Sequence, residues 1–228
     1  DLDPRNDYRP VWSADDQTIY FTSNRLSPTG DIHSKSSSGT GTAELVYRGE
    51  GGMDVLWSVS PDGATGWLSA RSGETDLDIL RIDLESLETE AVVQTPFREN
   101  APAISPDGRW LVYHSNESGR NEVFVQPLAD DGGRQQISID GGTLGRWTRN
   151  GREIVFQAPD GRLMAAEVTL EPTFSAGIPE GLFDLENYGW PWYDVTPDGN
   201  RFLVNQPIEQ PGIESLTLVL NWASELER

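Results

Sequence analysis

The 228-residue chain contains no cysteine, which excludes disulfide bonds, thiolate metal sites and cysteine nucleophiles. It has only two histidines, His33 and His114, and no Gly-x-Ser-x-Gly motif. A histidine-based metal site or a serine–histidine hydrolase therefore has few residues to draw on. Both histidines fall in predicted strands, which favours a structural role for each.

Long hydrophobic runs are missing as well. No apolar stretch approaches the roughly 18 residues that span a bilayer. No signal peptide is recognisable, and the sequence begins with Asp1 rather than methionine. We therefore expect the chain to be a processed or excised piece of a longer protein.

Positive charge is scarce: 37 acidic residues face 17 basic ones, of which only Lys35 is a lysine, and the net charge is −20. A surface this acidic repels a phosphate backbone, so nucleic acid is not expected as a partner. Two interpretations of the acidity stay open. It keeps a sheet-rich surface soluble, or it attracts a basic or cationic partner.

A turn motif, by contrast, is abundant. Five copies related to Ser-Pro-Asp-Gly occur, at residues 12–17, 60–63, 105–108, 148–151 and 196–199. A short apolar run follows each copy. Counted from positions 16, 62, 107, 150 and 198, the copies are 43 to 48 residues apart. A repeat of this length is typical of a propeller blade made of four strands.

The residues of the turn have a local explanation. Proline pre-sets the first corner, and glycine accepts the positive φ that closes a tight hairpin. Asp62, Asp107 and Asp198 can cap their own turns through the carboxylate. The recurring aspartate therefore needs neither a metal nor a catalytic role.

These patterns predict an all-β fold, a β-propeller with five recognisable four-stranded blades in one domain covering residues 1–228. The blades are expected at about 9–48, 53–93, 99–138, 142–184 and 191–222. No helix is needed. The fifth repeat lacks a recognisable fourth strand, so two arrangements stay open: five blades close imperfectly, or they belong to a six-bladed propeller with a blade upstream.

The repeats resemble the TolB-like propeller family, whose blades carry the Ser-Pro-Asp-Gly turn. Several segments are further similar to the C-terminal propellers of bacterial membrane-anchored serine/threonine protein kinases, namely residues 94–113, 115–125, 132–138, 152–168 and 218–228. In that family the kinase domain lies upstream, usually beyond a membrane segment. The resemblance implies that the propeller faces outward as a sensor or interaction module.

The resemblance carries no kinase activity onto this chain, because the Gly-rich loop, Val-Ala-Ile-Lys, His-Arg-Asp and Asp-Phe-Gly motifs are all missing. We expect a non-catalytic binding module on the periplasmic or cell-surface side, with a cytoplasmic location left open. Two alternatives remain: a TolB-like periplasmic scaffold, and the propeller domain of a prolyl-oligopeptidase-type peptidase. In the second, catalysis would reside in another domain.

Carboxylates raise the question of a glycosidase or a Ca²⁺ site. A glycosidase needs two or three acids projecting from inner strands, whereas most acids here fall in turns and loops, such as Glu74, Asp76 and Asp160. No Asp-x-Asp-x-Asp-Gly run supports Ca²⁺ binding. We therefore predict no catalytic residue, no metal site and no cofactor.

Two candidate binding surfaces remain. The strongest departure from the repeat is an aromatic segment that contains Tyr188, Trp190, Trp192 and Tyr193. Such rings can stack on a sugar, a peptide proline or a cationic group. Alternatively, the two tryptophans fill the wedge between the fourth and fifth blades.

The second surface is formed by loops at equivalent places in three blades, which converge on one rim. Arg25 and Arg71 match in position there, with Glu117 in the third loop. Ordinary turn chemistry is the alternative explanation for these loops. The expected partner is a protein, a peptide or a small ligand at the channel mouth or on one rim, without membrane insertion by this segment.

Overall fold

A computed structural model describes residues 6–49, 51–71, 75–129, 133–171, 173–185 and 193–204. These residues form five antiparallel sheets that follow one another along the chain. The predicted all-β propeller fold is confirmed. The only helical turn among the described residues is a short 3₁₀ segment, Arg149–Gly151.

Each sheet is built from consecutive strands in chain order, as follows. The first contains β1 (Asp7–Trp12), β2 (Thr18–Ser23), β3 (Asp31–Ser36) and β4 (Glu44–Tyr47). The second contains β5 (Val55–Val59), β6 (Thr65–Ala70), β7 (Asp78–Asp83) and β8 (Thr89–Val93). The third contains β9 (Glu99–Ile104), β10 (Trp110–Ser115), β11 (Glu122–Pro127) and β12 (Gln135–Gln136).

The last two sheets depart from this plan. The fourth contains β13 (Thr143–Thr148), β14 (Glu153–Gln157) and the long β15 (Arg162–Thr169). Two short strands, β16 (Ser175–Ala176) and β17 (Glu180–Asp184), both pair with β15. In the fifth sheet the described strands are β18 (Tyr193–Val195) and β19 (Phe202–Val204). The single-domain assignment stays a prediction, and the end of the fifth predicted blade lies outside the described residues.

The hydrophobic core is divided among the junctions between sheets. One cluster joins the first and second sheets around Leu56 and Leu68, and another joins the second and third around Trp67 and Leu111. The third and fourth sheets meet around Phe156. The first strands of successive sheets, here called the inner strands, contact one another in order. They therefore line a common channel, as the inner strands of a propeller do.

The repeated turn has the predicted carboxylate cap. In the second sheet the Ser60 hydroxyl donates to Asp62 Oδ1 at 2.5 Å, and the same oxygen accepts the Ala64 N–H at 3.0 Å. The hydroxyl oxygen in turn accepts the Thr65 N–H at 2.9 Å. The Ser60 hydroxyl, followed by the Ala64 N–H, holds the pKa of Asp62 below its ordinary value. Gly63 closes the turn at φ +75°, a conformation that suits glycine.

Two copies of the turn differ from the alignment that the sequence predicted. In the first copy Asp15, not Asp16, is the capping carboxylate, because it binds the Ser13 hydroxyl at 2.6 Å. Asp16 occupies the glycine position at φ +59°. In the fourth copy the turn is replaced by the 3₁₀ segment, whose preceding residue Thr148 makes no side-chain cap.

Replacing Ser60 by alanine should lower the free energy of unfolding by about 1 kcal/mol, because two hydrogen bonds of the turn are lost. Ser60→Thr is the matched control. The fifth copy has Thr196 at this position, and its hydroxyl lies 2.5 Å from Asp198 Oδ1. Urea denaturation should show a loss for the alanine variant alone. Equal stability of S60A and the wild type would disprove the role of this hydroxyl.

Candidate functional site

The inner strands of the first four sheets each contain a β-bulge. The register shifts fall at residues 8–11, 56–58, 100–103 and 143–146. At equivalent bulge positions Arg9, Ala101 and Leu144 adopt φ values of +60°, +56° and +58°. Non-glycine residues rarely adopt this conformation, which costs on the order of 1 to 3 kcal/mol and is concentrated at functional sites. Bulges re-aim side chains, here toward the common channel.

The bulges border a cavity of about 350 Å³, here called the channel cavity. From the inner strands it is lined by Arg9, Trp57, Asn100, Thr143 and Leu144. Neighbouring positions add Arg98, His114, Asn116, Asn121 and Gln157. No carboxylate lines the cavity within the described part of the chain, although acids outnumber bases 37 to 17 in the sequence.

Two guanidinium groups approach one tryptophan in this cavity. The Cζ atom of Arg9 lies 3.6 Å from the centroid of the Trp57 ring, and that of Arg146 lies 5.6 Å from the same centroid. Burial, followed by the charge of Arg146, lowers the pKa of Arg9 to about 8. Burial therefore makes the positive form of Arg9 more costly in free energy than it is in water.

His114 is neutral in this environment. Burial, followed by the charges of Arg98, Arg146 and Arg9, lowers its pKa to about 3. The Leu144 N–H donates to His114 Nδ1 over 3.4 Å, so the ring proton resides on Nε2. His114 thus offers a hydrogen-bond donor, and its charge does not change between pH 5 and 8. The other histidine, His33, is buried in β3 and stacks on Phe21 at 5.9 Å, away from this cavity.

Tyr193, the one predicted aromatic site residue that the structure describes, is buried with 7% of its surface exposed. Its hydroxyl donates to the carbonyl oxygen of Leu144 at 2.5 Å, and the carbonyl oxygen of Val155 lies 3.1 Å away. Burial raises the pKa of this phenol. Tyr193 therefore packs between the fourth and fifth sheets and holds the bulge at Leu144 in place. Tyr188, Trp190 and Trp192 lie outside the described residues.

Removing the Tyr193 hydroxyl should loosen that bulge. We expect Tyr193→Phe to lower the free energy of unfolding by about 1 kcal/mol, the usual net value of one hydrogen bond. Tyr113→Phe is the control, because the Tyr113 hydroxyl contacts the Gln126 side chain at 3.1 Å instead of a bulge. Amide hydrogen exchange at Leu144 should accelerate in Y193F and not in Y113F. Unchanged exchange at Leu144 in both variants would contradict the supporting role.

The charged residues predicted on one rim are engaged locally. Arg25 binds both carboxylate oxygens of Asp7 at 2.7 and 2.8 Å, and Arg71 lies 3.6 Å from Asp76. Glu117 pairs with Arg134. None of these three predicted residues lines the channel cavity.

The predicted match between Arg25 and Arg71 is off by one residue. Strands β2, β6 and β10 end at Ser23, Ala70 and Ser115. In each of these sheets, that last residue pairs with the first residue of the third strand. Arg71 therefore corresponds to Asn24 rather than to Arg25.

The sequence did contain a signal for the channel cavity. Arg9 and Arg146 lie between the start of an expected blade and its turn motif, in a chain that has few bases. A larger depression of about 710 Å³ lies at the outer edge of the fourth sheet, beside the fifth turn. Among the described residues, its lining mixes Arg149 and Arg152 with Glu167 and Asp198 and includes no aromatic side chain. Within the described ranges, no three potential metal ligands cluster.

No protein-family model matches the chain. Nor does any helix in the described part have the length and hydrophobicity needed to cross a bilayer. Similarity is found instead among solved structures. TolB from Acinetobacter baumannii is 19% identical with a TM-score of 0.66, over 86% of this chain and 47% of that one. A putative TolB from Agrobacterium tumefaciens is 20% identical with a TM-score of 0.65, over 79% and 66%.

A third similar structure is the β-propeller domain of the Trilobed protease from Pyrococcus furiosus, described as having an open velcro topology. It is 12% identical with a TM-score of 0.52, over 79% of this chain and 58% of that one. The chain thus spans about half to two thirds of the length of these structures. At such identities the similarity shows the fold, and the chain is a β-propeller similar to those of TolB proteins.

Proposed function

We propose that the chain is a non-catalytic binding module that holds a partner or ligand at the channel cavity. One observation carries this proposal: bulges in four inner strands border a single cavity that combines an aromatic ring, amides and cations. The described lining includes no carboxylate or serine next to the imidazole of His114. The described lining therefore holds no serine–histidine pair, and a pKa lowered to about 3 makes His114 a weak general base.

The setting of the module is proposed from similarity. The sequence resemblance supports the C-terminal sensor region of a bacterial serine/threonine kinase, and the similarity to TolB structures supports an extracytoplasmic scaffold. Either setting places the propeller outside the cytoplasm. A third setting is the propeller of a peptidase, which the similarity to the Trilobed protease domain favours. The complete gene distinguishes them, because each setting requires a different neighbouring domain.

Blocking the cavity tests the binding role independently of ligand chemistry. Asn121 is exposed and lines the cavity. We expect Asn121→Trp to abolish the binding of any peptide, sugar or organic acid found by a solution NMR screen of the wild-type chain. Ser118→Trp is the control, because Ser118 is exposed on the same loop and does not line the cavity. Undiminished binding to N121W would overturn the proposed site.

A further inference from the structure

We propose that the channel cavity recognises a carboxylate group carried by a peptide, either an acidic side chain or a C-terminal carboxylate. This inference rests on the proposed binding function and names its ligand class. The cavity concentrates positive charge in a chain whose net charge is −20. Both Arg9 and Arg98 line it, and Arg146 approaches the Trp57 ring in its lining.

Most arginines in the described part of the chain are paired with carboxylates, whereas two arginines at the cavity are not. Nine arginines of the described ranges form ion pairs with carboxylates. Within those same ranges, Arg98 and Arg146 have no carboxylate within ion-pair distance, and the Arg146 Nη1 group donates to the Gly145 carbonyl at 2.9 Å. Arg98 in the cavity lining and Arg146 beside Trp57 therefore have no carboxylate counter-ion among the described residues. A ligand carboxylate would supply it and could accept the paired hydrogen bonds that guanidinium groups favour.

The polar lining favours a peptide over a bare anion. Side-chain amides from Asn121 and Gln157 present acceptors as well as donors, and Asn100, whose Oδ1 accepts the Ala101 N–H, adds a donor. A carboxylate next to peptide N–H groups can use both, whereas a phosphate ion at neutral pH mainly accepts. The volume of about 350 Å³ is at the lower end of ligand pockets, which start at roughly 300 Å³. It suits a short peptide segment rather than a folded surface.

Calorimetric titration of the wild-type chain with three peptides tests the ligand class. The probes are acetyl-Asp-Asp-amide, acetyl-Ala-Ala with a free carboxylate, and neutral acetyl-Asn-Asn-amide. We expect one of the first two to bind, which identifies the source of the carboxylate, and the neutral peptide to bind at least about tenfold more weakly. The proposal is overturned if the neutral peptide binds equally well, if neither acidic probe binds, or if inorganic phosphate binds more tightly than both.

Charge variants test the arginines. Arg98→Gln and Arg146→Gln should each weaken binding of the acidic probe about tenfold, and Arg98→Lys should recover part of the loss. Arg81→Gln is the matched control, since Arg81 pairs with Glu90 at 2.6 Å on the second sheet, outside the cavity lining. Retained affinity in both cavity variants, or an equal loss in R81Q, would refute the inference. If N121W abolishes binding while R98Q and R146Q do not, the binding site stands and the carboxylate assignment fails.

Discussion

Replacing Trp147 by alanine is expected to lower the free energy of unfolding by about 3 to 5 kcal/mol, the usual cost of truncating a large buried aromatic residue. Only 8% of Trp147 is exposed, and it belongs to the core between the third and fourth sheets. Its Nε1 group donates to the Ala103 carbonyl oxygen at 3.0 Å, which links β13 to β9. The substitution therefore removes packing and a hydrogen bond between two blades.

Trp12 provides a control within the same chain. It occupies the equivalent position of the first inner strand, since Trp12 pairs with Ile19 as Trp147 pairs with Ile154. Its side chain is 54% exposed. We expect Trp12→Ala to cost less than about 1 kcal/mol. Guanidinium chloride denaturation of both variants measures the difference in free energy of unfolding. Equal losses would show that burial at the blade junction does not decide how much a tryptophan at this position stabilises the fold.

Replacing Glu99 by glutamine should have the opposite sign, raising the free energy of unfolding by about 1 to 2 kcal/mol at neutral pH. Glu99 and Asp78 are both fully buried at the junction of the second and third sheets. Within the described structure, Glu99 Oε2 and Asp78 Oδ1 have no hydrogen-bond partner. An amide at position 99 removes the negative charge of a buried group whose Oε2 atom has no hydrogen-bond partner in the described structure and whose charged form Asp78 disfavours. Leaving a buried polar group unsatisfied costs about 1 to 3 kcal/mol, and more for a charged group.

The pH dependence of this variant follows from the pKa of Glu99. Burial, assisted by the charge of Asp78, raises this pKa above its ordinary value. The folded protein therefore keeps the Glu99 proton to higher pH than the unfolded chain does. The contribution of the Glu99 proton to the free energy of unfolding is fully present below the ordinary glutamate pKa of about 4.3. It is lost as the pH rises above that value. E99Q should accordingly be most favourable near pH 7.5 and gain least near pH 4.

The first blade junction supplies the control for E99Q. Asp31 and Asp54 occupy the positions of Asp78 and Glu99 there, and Arg48 lies 2.6 Å from Asp31. In the second junction Gln94 takes the place of Arg48 and donates to Asp78 at 3.1 Å. We expect Asp54→Asn to gain less stability than E99Q, because a cation is already present. Urea denaturation at both pH values measures this, and a loss of stability in E99Q at neutral pH would contradict the argument.

The strands and turns could be predicted because their causes are local. The Ser-Pro-Asp-Gly segments form their caps from residues two to five positions apart, so composition and spacing were sufficient. The exception is instructive. Asp15 and Asp16 are both carboxylates, and only the hydrogen bond from Ser13 shows which one caps the turn. Residue type alone therefore could not show which of the two aspartates aligns with the capping aspartate of the other copies.

The candidate site was harder to predict from the sequence. For the aromatic segment the sequence left open a binding surface or a packing role between the fourth and fifth blades, and Tyr193 is 7% exposed, with its hydroxyl bound to the Leu144 carbonyl oxygen. Arg25 and Arg71 looked equivalent because each follows a strand. The strand pairing shows that Arg71 corresponds to position 24, one residue before Arg25. Trp57 carried no signal of its own, since its sequence context is that of an ordinary apolar strand.

By itself, the sequence determined the repeat, the all-β propeller fold and the acidic surface. The reason is that the turn motif, its spacing and the net charge can be read from the sequence without knowing which residues contact one another. Only the tertiary structure brought Arg9 and Arg146, from the first and fourth sheets, to the ring of Trp57 in the second. The physical reason is the bulge in each of the first four inner strands. It changes which way a side chain points, and whether bulges from different blades converge depends on how those blades pack.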